Sequence, residues 1–346
     1  MKLKRVLFVA LLCSLLACNS VPDRYVRISG IAQGGNYTVK LNMRGVNVPV
    51  ETIQDSISAL LHQIDTTLSG YNKKSLLSRF NAGEKIRPNS MFLEMYRIGY
   101  RLWERSGGAL DVGAAALYDA WGFGFRNSTF PTDQEIARLL ANSGMGHLPS
   151  ELPVVDGWVD PARLGYPQLN YNAIAQGYSC DVIATYLYSL GIKDMLIDIG
   201  EIWCDGLNPA GKPWSVGVDR PVDRPAPDQG EEDDLDGIWV SEGNPAGIVT
   251  SGNYRKYYIR DGRKYAHTIN PRTGYPVEHN LLSATVVSSQ SATDSDAIAT
   301  WCMVVGLQSA QVLILGDPNL EGYLIYNDAY GNMKEWASPG FTLAQE

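Results

Sequence analysis

Leu282-Ser-Ala-Thr-Val-Val-Ser288 and Ala292-Thr-Asp-Ser-Asp-Ala-Ile-Ala-Thr-Trp-Cys-Met-Val-Val305, joined by Ser289-Gln-Ser291, are the stretch on which the reading of this chain turns. The first run is short, apolar and β-branched and reads as a strand; the second is long enough for a helix and stops before Gly306. A strand feeding a helix suits either a regular βαβ fold or a mixed one, so the surroundings decide. Towards the N-terminus lie further short β-like runs at Gly247–Ser251, Ile238–Ser241, Trp214–Val218 and Met195–Ile199. Asp261-Gly262, between Tyr257–Arg260 and Lys264–His267, is a hairpin signal. Segments 319–327 and 332–337 extend the β-rich half towards the C-terminus. The first half has Tyr37–Leu41 as a strand but is otherwise helical. Ile53, Ile57, Leu60, Leu61 and Ile64 recur at helical spacing behind a candidate Thr52 cap, and Phe92, Tyr96, Tyr100 and Trp103 share a face of a helix running from Ser90 to Gly107-Gly108. Thr132-Asp-Gln-Glu135 is a capping box for a helix ending near Gly144, and a long helix covers Ile174 to Leu190. Strands and helices that mix without βαβ alternation predict an α+β fold, with largely antiparallel sheets and flanking helices.

Outside that framework, Lys2, Lys4 and Arg5 precede an apolar run from Val6 to Ala17, too short to span a bilayer and typical of a secretory signal. Leu15-Leu-Ala-Cys18 looks like a lipobox, so residues 1–17 are expected to be a signal peptide and Cys18 the acylated first residue of the mature chain. Residues 18–25 would be the tether and 26–346 one large domain, held at a membrane surface by its acyl chains. Removing the signal moves the net charge from −8 to −11, with 26 basic against 37 acidic residues, which argues against nucleic acid as a ligand. Residues 219–236 hold eight acids and three prolines and read as an acidic surface loop. Cys180, Cys204 and Cys302 lack zinc spacing and are expected as buried thiols, although one bridge is open to a protein outside the cytoplasm.

The chemistry begins with Asp296 and Thr300, four residues apart and so stacked on one helix face. A carboxylate and a hydroxyl suit a hard cation such as Mg²⁺; alone, Asp294 and Asp296 read more simply as acids favouring a helix N-terminus. His267 opens the turn-rich segment ending at Thr273-Gly-Tyr-Pro276 and is a natural proton acceptor near neutral pH, or a structural histidine. Thr250-Ser-Gly252 offers hydroxyls, backbone N–H groups and an unhindered glycine to a phosphate or a ring edge. His62, His147 and His279 have no evident chemical partner, and Trp121 reads as core.

Taken together, Gly30–Tyr37, Ser69-Gly-Tyr71 with Ser78–Asn81, Gly108–Asp111 with Trp121–Gly124, Asn172–Tyr178 with Asp181, Thr250–Gly252 with Tyr254-Arg255, His267–Pro276 and Asp296–Thr300 resemble, in order and spacing, the ApbE-type FAD:protein FMN transferases. The resemblance implies two lobes around a central FAD cleft, and transfer of FMN from FAD to a Ser or Thr hydroxyl of an acceptor flavoprotein with release of AMP. It further implies Mg²⁺ held by Asp296, Thr300 and the backbone carbonyls of Ala173 and Ala299, with His267 deprotonating or orienting the acceptor hydroxyl. FAD contacts are implied at Gln33, Tyr71, Ala109, Leu110, Asp111, Asn170, Gln176, Asp181, Thr250, Ser251, Gly252, His267 and Thr273. Acceptors of such enzymes are subunits of membrane redox complexes, the Na⁺-pumping NADH:quinone reductase or the Rnf type, which suits an anchored enzyme on the periplasmic side of the inner membrane. The chain departs from the family pattern at Gln33 (methionine), Gly35 (threonine), Asn170 (aspartate) and Gln176 (lysine), and near Ile199-Gly200-Glu201, where a paired glycine is reduced to one. Two other readings remain at this level: an FAD pyrophosphatase giving FMN and AMP, and a non-catalytic FAD-binding lipoprotein.

Overall fold

The computed structural model describes residues 23–344 apart from 126–129, 222–234, 254–256 and 261–262. The expected signal peptide, Cys18, most of the tether, Tyr254-Arg255, the Asp261-Gly262 turn and the centre of the acidic loop lie outside the described residues. The strands are β1 (Tyr25–Ala32), β2 (Gly35–Asn42), β3 (Met195–Asp198), β4 (Ile202–Asp205), β5 (Ser215–Asp219), β6 (Leu235–Val240), β7 (Ala246–Gly252), β8 (Tyr257–Arg260), β9 (Arg263–Ala266), β10 (Ile269–Asn270), β11 (Tyr275–Pro276), β12 (Leu281–Ser288), β13 (Leu320–Asn327), β14 (Met333–Ala337) and β15 (Leu343–Ala344). The helices are α1 (Val50–Leu68), α2 (Leu76–Asn81), α3 (Ser90–Ser106), α4 (Ala115–Ala120), α5 (Asp133–Asn142), α6 (Ala175–Ser189), α7 (Ala292–Val305) and α8 (Leu307–Leu315).

Eight strands form one sheet in the order β1-β2-β3-β4-β7-β12-β13-β14, every neighbouring pair antiparallel. The period-2 alternation of side chains gives this sheet two apolar faces. Val249 of β7 packs with Val286, Ile298 and Leu324 beneath α7 and α8. Its neighbour Ile248 points the other way, into a core shared with Val216 and Trp239 of the small sheet β15-β6-β5. A separate core of Phe80, Phe92, Tyr96, Leu110 and Tyr171 binds α2, α3 and the following loops into a helical lobe. The α+β architecture expected from the sequence is thus the one observed.

Local signals account for most boundaries. Ser291 caps α7 by accepting from Asp294 N–H, Thr132 caps α5 by accepting from Glu135 N–H, and Gly107 ends α3 in the left-handed region at φ 57°. The tight Gln33-Gly34 turn between β1 and β2 has φ of 52° and 84°, positive at both positions as such hairpins require. Three points differ from the sequence reading. Helix α1 begins at Val50 behind Pro49, so Thr52 lies inside it. Tyr25, expected in the tether, already pairs with Asn42 as the first residue of β1. Strands β1, β4, β10, β11 and β15 and helices α2, α4 and α8 were not legible, because β1 is a half-exposed edge strand carrying Gly30 and the others are short. Gly30 faces Tyr37 across the hairpin, and a Cβ there would stand 2.7 Å from the Tyr37 ring, so the glycine lets that ring cover its strand.

Helix α7 lies directly on β7. A Cβ on Gly247 would stand 2.6 Å from Ala292 Cα and 2.8 Å from Ser295 Oγ. Gly247→Ala is therefore expected to lower stability by about 1–3 kcal/mol, as overpacking in a close-packed interior does. Urea unfolding midpoints check this; an unchanged midpoint would mean the helix can lift from the strand without cost.

Candidate active site

A cleft of about 770 Å³ runs between the helical lobe and the edge formed by β4, β5, β7 and α7. Asp296 enters its wall from α7 and is 5 % exposed. Its Oδ2 accepts from the Gly177 N–H of α6 at 3.0 Å, and its other oxygen takes no hydrogen bond from the described chain. Burial pushes this carboxyl up to about 8; the charge of Asp181 adds to the rise and the Gly177 N–H opposes it. One turn along α7, Thr300 Oγ1 stands 3.5 Å from Ser251 Oγ on β7. Thr250, the next residue on that strand, pairs instead with Thr285 of β12, hydroxyl to hydroxyl at 2.8 Å.

His267 follows β9, partly buried, with its ring edge-on to Phe123 at 6.3 Å between centroids. The Thr268 hydroxyl donates to Asn253 Oδ1 at 2.7 Å, which ties the His267 segment to the end of β7. On the opposite wall Asp111 caps the 3-10 turn Val112–Ala114. Its Oδ1 accepts from Gly113 N–H at 2.8 Å and Met145 N–H at 2.9 Å, and burial raises this carboxyl to about 6 despite those donors. The Asn170 N–H donates to Val112 C=O, and Asn170 Oδ1 accepts the Asn172 N–H. Asn172 in turn donates to the Tyr71 hydroxyl at 3.3 Å, and the exposed Tyr71 ring meets Phe125 edge-on.

Of the residues singled out in the sequence, the cleft gathers Tyr71, Ala109, Leu110, Asp111, Asn170, Ala173, Thr250, Ser251, Gly252, His267, Asp296 and Thr300. Five stand elsewhere. Gln33 donates to Ser179 Oγ from the hairpin turn. Gln176 donates to Ile199 C=O at 2.8 Å, beneath Gly200, which does line the cleft. Asp181 is engaged by the first residues of α7. Thr273 makes a local turn with Asn270, and Ala299 is fully buried within α7. Trp121 is core, donating to Gly274 C=O at 2.8 Å. His279 joins β12 to the end of α7 through Met303 C=O, and burial lowers its pKa. The three described cysteines are free and buried, and burial raises all three thiols.

Sequence reasoning missed Glu201 and Asp219, which also line the cleft. Glu201 lay in a turn read only for its glycine, and Asp219 at the edge of a segment read as a surface loop. With them the wall carries four carboxylates and, among the described residues, no lysine or arginine. A buried carboxylate with one oxygen uncommitted, one turn along a helix from a hydroxyl, fits a hard divalent cation such as Mg²⁺. Among the described residues no group of three or more His, Cys, Asp or Glu gathers to hold a metal ion by side chains alone.

Fold and cleft define an α+β protein with an antiparallel sheet and a long, acid-lined groove suited to an extended polar ligand that arrives with a cation. The sequence model of the ApbE family matches residues 34–324, and the chain belongs to that family. It is 32 % identical over 333 residues to the FAD:protein FMN transferase of Vibrio cholerae, covering 94 % of this chain and 95 % of that one. To the Haemophilus influenzae FAD:protein FMN transferase it is 30 % identical, covering 92 % and 91 %. The solved flavin transferase ApbE of Vibrio cholerae superposes with a TM-score of 0.75 at 30 % identity, covering 92 % of this chain and 98 % of that one.

Because burial raises the Asp111 pKa, the native state holds this proton more tightly than the unfolded chain. Its contribution to stability is therefore full below about pH 4 and is lost as pH rises through about 6. Asp111→Asn keeps an oxygen for both N–H donors and removes the titration. Wild type is expected to lose roughly 2–3 kcal/mol relative to Asp111→Asn between about pH 4 and pH 7, measured by urea unfolding across that range. Parallel curves for the two proteins would refute it.

Proposed function

We propose that this protein is an FAD:protein FMN transferase that uses Mg²⁺ to move FMN from FAD onto a Ser or Thr hydroxyl of an acceptor protein, releasing AMP. The observation that carries this is the meeting of Asp296, Thr300, Ser251 and His267, from three separate segments, on one acid-lined cleft. Family membership and relatives named for this activity support it.

In this reading the acceptor oxygen bonds to the FMN phosphorus as the diphosphate bridge breaks, and the bridging oxygen leaves with AMP. Such transfers need positioning and charge neutralisation more than covalent help from the protein. Bound Mg²⁺ neutralises charge on the diphosphate. Asp296, Thr300 and the carbonyls of Ala173 and Ala299 would hold it. Thr250, Ser251 and Gly252 offer hydroxyl and N–H donors to phosphate oxygens, and Tyr71 covers a ring at the mouth. The His267 imidazole takes the proton from the acceptor hydroxyl, which makes the oxygen nucleophilic as the bond forms.

The same reading includes export, acylation at Cys18, and work on the periplasmic face of the inner membrane. The acceptor is a flavoprotein subunit of a redox complex there, of the Na⁺-pumping NADH:quinone reductase or Rnf type. The N-terminal sequence supports this, and no helix among the described residues is long and apolar enough to cross a membrane by itself.

Purified protein with FAD, Mg²⁺ and an acceptor domain is expected to leave the acceptor fluorescent after denaturing electrophoresis. Asp296→Ala should abolish labelling. His267→Ala should slow it by roughly 10²–10⁴-fold, the usual share of a proton acceptor, while FAD affinity stays within a few-fold. AMP and FMN forming freely with no labelled acceptor would replace transfer by hydrolysis.

A further inference from the structure

Helices α6 and α7 satisfy each other's ends. Helix α6 starts behind Ile174, which supplies no side-chain cap, so the N–H of Gly177 in its first turn lacks an intrahelical partner. Asp296 of α7 accepts that N–H. In the other direction, Ser291 caps α7 at Asp294 N–H but leaves the first two N–H groups, of Ala292 and Thr293. Asp181 of α6 accepts both, at 2.8 and 2.9 Å, and also the Thr293 hydroxyl. Gly177 and Asp181 are one turn apart on α6, and Ala292 and Asp296 are one turn apart on α7, so the clasp has two points of contact along both axes. Close packing leaves it little play: a Cβ on Gly177 would stand 2.4 Å from Ala292 C=O and 2.9 Å from Asp296 Cβ.

We propose that Asp181 is a positioning residue for the divalent-cation site: by capping α7 from α6 it fixes the axial position at which Asp296 and Thr300 enter the cleft. This rests on the cation reading above, and it assigns Asp181 to the cation rather than to FAD, since its carboxylate does not line the cleft. Without Asp181 the Asp296–Gly177 contact is the one described hydrogen bond left between α6 and α7, and the first turn of α7 loses its partner. Ser295, donating to Gly247 C=O, still holds the helix on β7, but its position along α6 is released. The two oxygen ligands, one turn apart, then no longer meet one ion together. The nucleotide wall built from Asp111, Asn170 and Tyr71 stands on other segments and is untouched.

Manganese binding to the purified full-length protein, followed by electron paramagnetic resonance, tests this alongside FAD affinity measured in chelator. Asp181→Ala is expected to weaken Mn²⁺ binding 10–100-fold, as loss of an outer orienting partner does, with FAD affinity in chelator within about threefold. Asp181→Asn, which keeps one acceptor oxygen, should recover part of the loss and stands in if the alanine variant does not fold. Ser291→Ala removes the helix's own cap without touching the clasp; it should lower the melting temperature yet leave Mn²⁺ affinity as in wild type. Unchanged Mn²⁺ affinity in both Asp181 variants overturns the positioning role, as does an equal loss in Ser291→Ala. Absence of Mn²⁺ binding by wild type overturns the cation reading itself, and the positioning role with it.

Discussion

A carboxylate buried in the wall of an acidic groove is the constraint around which this molecule is arranged. Asp296 stands in apolar surroundings that disfavour its charge, and a single backbone N–H offsets little of that cost. A cation offsets much more. The neighbours of Asp296 make sense on this basis: a hydroxyl one turn away, and glycines at 177 and 247 that let α7 lie tightly between α6 and the sheet.

The sheet serves the same end. Antiparallel pairing of β7 with β12 sets Thr250 against Thr285 and turns Ser251 towards Thr300. The small sheet β15-β6-β5 packs on the far face and brings Asp219 to the rim. The helical lobe supplies the facing wall, with Asp111 knitting two 3-10 turns together. A groove with four carboxylates and no described lysine or arginine would repel a bare diphosphate. It is a coherent site for one that carries its own counter-charge.

Substitutions at familiar positions look different in this setting. Gln176 braces the Ile199-Gly200 turn from behind and contributes no charge to the groove. Gln33 holds the β1–β2 turn against α6. Gln176 acts on the shape of the wall through Gly200, which lines it, whereas neither Gln33 nor its partner Ser179 lines the cleft.

Amino-acid pattern alone determined the α+β class, the five longest of the eight described helices and most strands, down to the Ser90–Ser106 helix and the strand-to-helix passage at 281–305. Each of these is written in local periodicity and capping chemistry, which neighbours along the chain carry. It also determined that Asp296 and Thr300 share a helix face, since four residues make one turn. Only the tertiary structure decided that Asp181 meets the start of α7, that Glu201 and Asp219 belong to the groove, and that Gln33, Gln176 and Thr273 do not line it. These depend on contacts between segments up to a hundred residues or more apart, where burial and the accounting of unpaired N–H groups select the partner. No spacing rule along the chain records that choice.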